Sequence, residues 1–388
     1  MPLALWALTL SAFAIGTTEF VIVGLIPIIA DDLGVSLPSA GLLVSLYAVG
    51  VAIGAPVLTA VTGRWKRKTV LTSLMALFVI GNIVAWQAPS YETLIAARVL
   101  TGLAHGVFFS IGSMMATSLV SKEKQASAIA IMFTGLTVAL VTGVPLGTWV
   151  GQVFGWRSTF LMVSLLGLIA LIGSAILVPN TLDQVIPTKV KDQLQVLLKP
   201  RLLLAYTMTI LGYGGTFTAF TFLAPILQQH AGFAASYVGF IMLGYGVSVA
   251  VGNVWGGKLA DKYGPIKALK VLFLGLSITL LALTFTMNSP LLVVITVLVW
   301  GAFAFGNVPG LQLHVVKIAE QDTPKAIDVA IGLNIAAFNI GIALGSVVGG
   351  HVVETLTLQD TAWIGAIICS AALAATCLAG HLDKQRIC

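Results

Sequence analysis

Apolar residues run along this chain in blocks of membrane-crossing length, separated by short segments rich in Gly, Pro and charge. A helix needs about 20 apolar residues to cross a bilayer. Blocks of that kind predict twelve spans, at 5–28, 39–61, 69–88, 92–118, 125–150, 157–178, 202–227, 235–257, 267–287, 290–316, 326–352 and 360–379. The longest connection, 179–201, is polar and lies near the middle of the chain; its "KVKDQLQVLL" stretch suits a short amphipathic surface helix. The pattern predicts an all-α integral membrane protein with one six-helix bundle at 1–180, a cytoplasmic linker at 181–201 and a second bundle at 202–388.

Composition agrees with a bilayer as solvent. Of the 388 residues 58% are apolar and only 9% charged, against about one quarter charged in a soluble domain. The first 30 residues lack a basic start and a small-residue cleavage site, so they read as the first span rather than a signal peptide. The three cysteines, Cys369, Cys377 and Cys388, are odd in number and near the C-terminus, which argues against a disulfide framework. The net charge of +6 is explained by topology. Of the 20 basic residues, 18 fall in loops on the side that holds both termini. By the positive-inside rule that side is the cytoplasm, so nucleic acid is not an expected partner and the bilayer is.

The two halves repeat. A shift of 198 residues superposes Gly16 on Gly214, Thr18 on Thr216, Pro27 on Pro225, Tyr47 on Tyr245, Gly54 on Gly252, Gly143 on Gly341 and Gly147 on Gly345. An even number of spans per half gives parallel repeats about an axis along the membrane normal, an arrangement used by transporters that rock around a central site.

Several stretches resemble motifs of the major facilitator superfamily. "GGKLADKYGPIKALKV" (256–271), between spans 8 and 9, is similar to that family's signature for this loop through Gly257, Asp261, Lys262 and Gly264. Its first-half counterpart "TAVTGRWKRKTVL" (59–71) is degraded, with Gly63 where an acid is expected, and keeps Arg64, Arg67 and Lys68. Span 4 carries "RVLTGLAHG" (98–106), and span 5 the Gly/Pro-rich "GLTVALVTGVPLGTWVG" (135–151) linked with antiporters; "FGWR" (154–157) follows. Together with "TTEF" (17–20), the whole chain resembles the bacterial drug:proton antiporter family, in its arabinose- and purine-efflux-permease-like branch, which includes sugar, nucleoside and chloramphenicol exporters. The resemblance implies proton-coupled efflux of a small molecule across the bacterial inner membrane by a monomer of two pseudo-symmetric six-helix bundles. It leaves the solute open.

The residues themselves suggest where the chemistry sits. Glu19 is an acid deep in a span, where a charge costs at least a few kcal/mol and marks function by default. Its repeat partner is Phe217, so the fold does not demand an acid there. Desolvation and a nearby cation move a carboxyl group in opposite directions, so a site that passes between the two can load and release a proton. The alternative is a carboxylate locked in an ion pair or held by Thr17 or Thr18. Arg98 lies inside span 4. At 1.5 Å per residue, Glu19 is roughly 20 Å from the inner end of its span and Arg98 roughly 10 Å from the outer end of its own, depths that coincide in a core of about 30 Å. The two are expected to face each other, directly, through water or through His105, which lies two turns further along span 4 and is of a residue type whose free side chain suits proton traffic. Purely structural roles for Arg98 and His105 stay open.

For the solute, the resemblance places spans 1, 4, 7 and 10 around a cavity. They offer Thr17, Thr18, Ser110, Tyr213, Thr216, Phe220, Trp300, Phe303 and Asn307, and span 11 adds Asn334, Phe338 and Asn339. Aromatics with hydroxyls and amides suit a neutral or amphipathic molecule, and ordinary packing is the competing explanation. Gly143 and Gly147, with Pro145 between them, form a small-residue face that span 11 repeats as Gly341 and Gly345; it suits a tight, bendable contact between halves. Thr323 and Pro324 read as the start of span 11, which leaves Asp328 to latch Arg64 or Arg67 while Asp261 faces span 5. No cofactor or metal is expected. A facilitator or importer on the same fold is the alternative. A polytopic membrane enzyme would want a clustered acid, His or Ser constellation at one face, a phosphate-binding loop or a soluble domain, and the sequence offers none of these.

Overall fold

The computed structural model describes residues 2–62, 65–121, 124–180, 196–324 and 326–385, with side chains at all of these except 55–62, 110, 125–127, 328, 384 and 385. Among them are twelve helices long and apolar enough to cross a membrane, matching the twelve expected spans. They are α1 Leu3–Leu33, α2 Leu37–Thr62, α3 Arg67–Trp86, α4 Tyr91–Ser118, α5 Gln125–Phe154, α6 Trp156–Leu177, α7 Pro200–His230, α8 Ala235–Tyr263, α9 Pro265–Thr286, α10 Pro290–Asp322, α11 Ile327–Thr355 and α12 Asp360–Gln385. Several helices start on Pro at their first position (Pro200, Pro265, Pro290), where the missing N–H costs nothing. Left-handed Gly34 closes α1, a conformation glycine adopts without strain. The stretch "KVKDQLQVLL" lies outside the described residues, apart from its last three.

Two sequence expectations shift here. Thr323 does not cap α11: it ends α10, its N–H bonding Ala319 O at 2.8 Å, and α11 begins only at Ile327. The bend expected at Pro145 takes the form of a π-helical turn, Ala139–Gly143, immediately before it. Proline cannot donate to the preceding turn, and one wider turn accommodates the break. The repeat partner of Pro145 is Ala343, and α11 accordingly runs unbroken.

The chain forms two compact units, Met1–Pro187 with Ala234–Leu243, and Thr188–Phe233 with Gly244–Cys388. In the first, α1 is buried almost all round. Its core joins Leu5, Leu8 and Ile15 to Met75 and Phe78 of α3, Phe108 of α4 and Met132 of α5. At one rim Asp32 of α1 takes hydrogen bonds from Trp156 Nε1, at 3.0 Å, and from Arg157, whose Nη2 also donates to Ala88 O at 3.0 Å. The "FGWR" motif therefore ties α6 to the ends of α1 and α3. In the second unit Arg201 of α7 bridges Asp322 of α10 (3.3 Å) and Asp383 of α12 (2.9 Å).

The glycines of α5 and α11 make their closest contacts inside their own units, and Pro145 O of α5 also lies 3.2 Å from where a Cβ on Gly239 of α8 would stand. A Cβ on Gly143 would stand 2.1 Å from Thr17 Oγ1, and one on Gly147 2.7 Å from Val21 Cγ2, both on α1. In the second unit Gly341 and Gly345 meet Ile210 O and Gly214 O of α7, at 2.7 and 2.3 Å from such a Cβ. Lipid gives helices no hydrophobic reason to associate, so close backbone contact over small residues holds these pairs together. Gly257 packs loosely near Pro309, and Gly264, at φ 84°, turns the chain from α8 into α9. Asp261 and Lys262 are exposed on the last turn of α8, Lys262 lying over the Tyr263 ring. Arg67 opens α3. Arg64 and the Asp328 side chain, and with them the expected latch, lie outside the described residues.

Candidate functional site

Two glycine-lined contacts set the geometry of the first unit. The helices α2 and α4 approach so closely that a Cβ on Gly102 would stand 2.3 Å from Tyr47 O, and one on Gly54 2.6 Å from Leu103 O. This draws the Tyr47 ring between two side chains of α4. The Arg98 guanidinium lies over it, with Cζ 4.1 Å from the ring centroid, and His105 Nδ1 is 3.0 Å from the Tyr47 hydroxyl. The proton of that hydrogen bond sits on either atom according to the imidazole tautomer. The same nitrogen, His105 Nδ1, is 4.0 Å from Glu19 Oε2 of α1. Glu19, Arg98 and His105 are buried, at 8%, 1% and 5% exposure.

Arg98 does not pair with the Glu19 carboxylate. Its Nη1 donates to Thr18 O (2.7 Å), its Nη2 to Glu19 O (3.4 Å) and its Nε to Leu43 O (3.3 Å). The cation is bound by main-chain carbonyls and a ring face, so the acid keeps its oxygens free within the field of a fixed positive charge. Of the expected arrangements, the one through His105 is the nearest to what is found.

The threonines flanking Glu19 are not partners of its carboxylate. The Thr17 hydroxyl donates to Phe13 O (2.8 Å) and faces α5, and that of Thr18 donates to Asn82 Oδ1 of α3 (2.8 Å). Both are fully buried, with their hydroxyls committed to the protein. This opposes the expected role of Thr17 and Thr18 in holding solute. The Ser110 side chain lies outside the described residues.

In the second unit four of the expected solute residues, Tyr213, Phe220, Trp300 and Phe338, come together. Tyr213, Phe217 and Phe220 of α7 form a ladder that Phe338 of α11 meets at 4.6 Å from Tyr213, and that Trp300 of α10 meets at 5.9 Å from Phe220. Tyr245 of α8 stacks on Phe220 at 4.9 Å. Others depart from expectation. Phe303 packs against Trp255 and Gly275, away from this ladder. The Thr216 hydroxyl returns to Gly212 O of its own helix. Asn334 is committed within the protein, accepting from Thr209 (2.8 Å) and donating to Gln312 Oε1 (3.0 Å). Asn307 is buried with its amide N–H on Phe303 O at 3.5 Å, and Asn339 with its own on Ile335 O at 3.0 Å.

Sequence reasoning missed Tyr47 and Tyr245. The signal was present in their superposition at the 198-residue shift. The structure refines the repeat. Gly54 meets Leu103 as Gly252 meets Ala302, so α4 and α10 correspond at a shift of 199. Arg98, Thr101 and His105 then correspond to Val297, Trp300 and Ala304. The acid, guanidinium and imidazole belong to the first unit alone, and aromatic rings stand at related positions of the second.

The chain as a whole is similar to known proteins. The family model described as Major Facilitator Superfamily matches residues 8–327. The chain is 51% identical over 382 residues to an uncharacterized MFS-type transporter, YtbD, of Bacillus subtilis, with 98% of this chain and 96% of that one covered. It is 33% identical to a chloramphenicol resistance protein of Streptomyces lividans, covering 96% and 95% of the two chains. A crystal structure of the nucleoside transporter NupG is similar in fold, with a TM-score of 0.81 at 16% identity over 97% of this chain and 99% of that one.

Proposed function

Because the chain belongs to the major facilitator superfamily, a family of transporters and not of enzymes, we propose that it exports a small molecule across a bacterial inner membrane in exchange for protons. It works as a monomer with both termini in the cytoplasm. The observation that carries this reading is a buried carboxylate that no cation has locked.

Glu19 sits 4.0 Å from an imidazole, and the neighbouring guanidinium spends its hydrogen bonds on carbonyls. An ion pair that had to break before each proton transfer would add a barrier. Here the acid gains or loses a proton without disturbing the anchor of Arg98. When Glu19 is ionised the two charges cancel, and when it is protonated one cation remains, held by three carbonyls. Burial of a lone carboxylate is thereby avoided in one state and burial of an unbonded cation in the other. His105 and the Tyr47 hydroxyl extend the site by two groups able to pass a proton. Export as the direction is supported by the resistance protein among the relatives. The polar and aromatic groups of the second unit supply contacts for the solute.

Proteoliposomes with an imposed pH gradient test this, with sugars, nucleosides and amphipathic drugs as candidate solutes and Glu19→Gln in parallel. The wild type is expected to concentrate a solute against its gradient while the variant only equilibrates it. A wild type that merely equilibrates every solute is a facilitator, and a variant with normal proton-driven accumulation removes Glu19 from the coupling.

A further inference from the structure

The second unit buries polar atoms that the protein does not satisfy. Trp300 Nε1, Tyr245 Oη and Asn307 Oδ1 have no hydrogen-bond partner among the described residues, in side chains 0%, 2% and 0% exposed. Buried polar groups are nearly always paired, and each one left unpaired costs about 1–3 kcal/mol. Two of the three share one neighbourhood, and the third lies on the same helix face about 10 Å along it. The Tyr245 and Trp300 rings are 5.9 Å apart, each against Phe220. Asn307 lies seven residues after Trp300, two turns along the same face of α10.

The first unit shows that this is not the fate of such a tyrosine in the fold. At the repeat-related position Tyr47 has its hydroxyl on His105 and its ring under Arg98. Tyr245 has kept the hydroxyl although Val297 and Ala304 have taken the places of its two partners. A phenylalanine would fill that space without the penalty.

We propose that these groups are the recognition site for the transported solute, and that the solute is an uncharged molecule with a flat ring and hydrogen-bonding oxygen or nitrogen on it. The ring stacks among Phe220, Tyr213 and Trp300. Trp300 Nε1 and the Tyr245 hydroxyl donate to an acceptor on the solute, and Asn307 Oδ1 accepts from a hydroxyl or N–H. Net charge is excluded by the helices themselves: stretches 202–229, 235–257, 290–313 and 329–350 contain no Asp, Glu, Lys, Arg or His. The inference rests on the transporter reading but not on proton coupling.

Two neutral nitroaromatic probes, 4-nitroacetanilide and 4-nitrophenyl β-D-galactoside, and one cation with the same ring, 4-nitrobenzyltrimethylammonium, test it by quenching of tryptophan fluorescence in nanodiscs at fixed pH. Saturable quenching by at least one neutral probe is expected, with the cation at least tenfold weaker. Tyr245→Phe weakens the neutral probe about 3- to 10-fold, the effect of one lost hydrogen bond, and Asn307→Leu does the same for the galactoside. Unliganded Tyr245→Phe unfolds at the same or a higher temperature than wild type, because it loses an unpaired hydroxyl. Four results overturn the proposal: no saturable binding of either neutral probe, equal binding of the cation, unchanged affinity in Tyr245→Phe, or a lower unfolding temperature for that unliganded variant. Binding is read at fixed pH with no proton gradient, so a failure of proton coupling is read separately from a failure here.

Discussion

Arg98 and Tyr47 define what each side chain of the first unit can do. The guanidinium serves three carbonyls on two helices with its fork of donors, a task that a lysine ammonium, a point charge on a flexible stem, cannot repeat. Arg98→Lys keeps the charge, yet it is expected to lose about 1.5–3 kcal/mol for each charged hydrogen bond it abandons, read as a clear fall in unfolding temperature in detergent. Tyr47→Phe keeps the ring beneath Arg98 and removes only the hydroxyl at 3.0 Å from His105. It is expected to cost about 1–3 kcal/mol of stability, because it leaves the buried His105 Nδ1 without that bond, and to reduce proton-driven accumulation more than downhill exchange, in the proteoliposome assay. The sequence placed Glu19, Arg98 and His105 at one depth, because rise per residue is fixed. It did not show that Arg98 would choose the carbonyl of Glu19 over its carboxylate. That choice depends on the rotation of α1 about its axis and on how near α2 lies, and three glycines on α2 and α4 set the latter through backbone contact.

At the scale of the element, the spans were legible from apolar block length alone, while their ends were not. The first was expected at 5–28 and runs Leu3–Leu33; the tenth was expected to stop at 316 and continues to Asp322. Hydrogen bonding carries a helix on past the hydrocarbon, and only a residue such as Gly34 stops it. The small-residue faces were legible as faces but not by destination, because a glycine pattern says that something comes close and not which helix it is. Gly345→Val is expected to cost at least about 1–3 kcal/mol, since its Cβ would stand 2.3 Å from Gly214 O. Gly332→Ala, where nothing lies within 4 Å, is expected to be neutral; thermal unfolding of the two variants side by side checks both.

For the molecule as a whole, charge placement gives an orientation that a single experiment reads. In a chain with its native cysteines replaced, a cysteine at Lys66 or Lys124 is expected to react with an impermeant maleimide only in inverted vesicles. One at Ser36 or Ser289 is expected to react only in intact cells. The reverse pattern refutes the assignment of both termini to the cytoplasm. The repeat was visible in punctuating residues because backbone contacts constrain Gly and Pro in both halves. What each half does with the frame was not, because function here lies in the positions where the halves differ: Glu19 against Phe217, His105 against Ala304.

The bonds from Arg98 to carbonyls have a genetic consequence. Positions 18, 19 and 43 present their main chain to it, so no substitution at those positions removes its acceptors, and selection is free to vary those side chains without releasing the arginine. By the same token, a lineage that loses Arg98 has no side-chain hydrogen-bond partner to exchange for it, and suppressors of such a loss should not arise at Thr18 or Leu43. The pair Asp32 and Arg157 bonds side chain to side chain. There a reciprocal swap is a conceivable route back, and a revertant screen run on both arginines would recover compensating changes at one rim and true reversion at the centre.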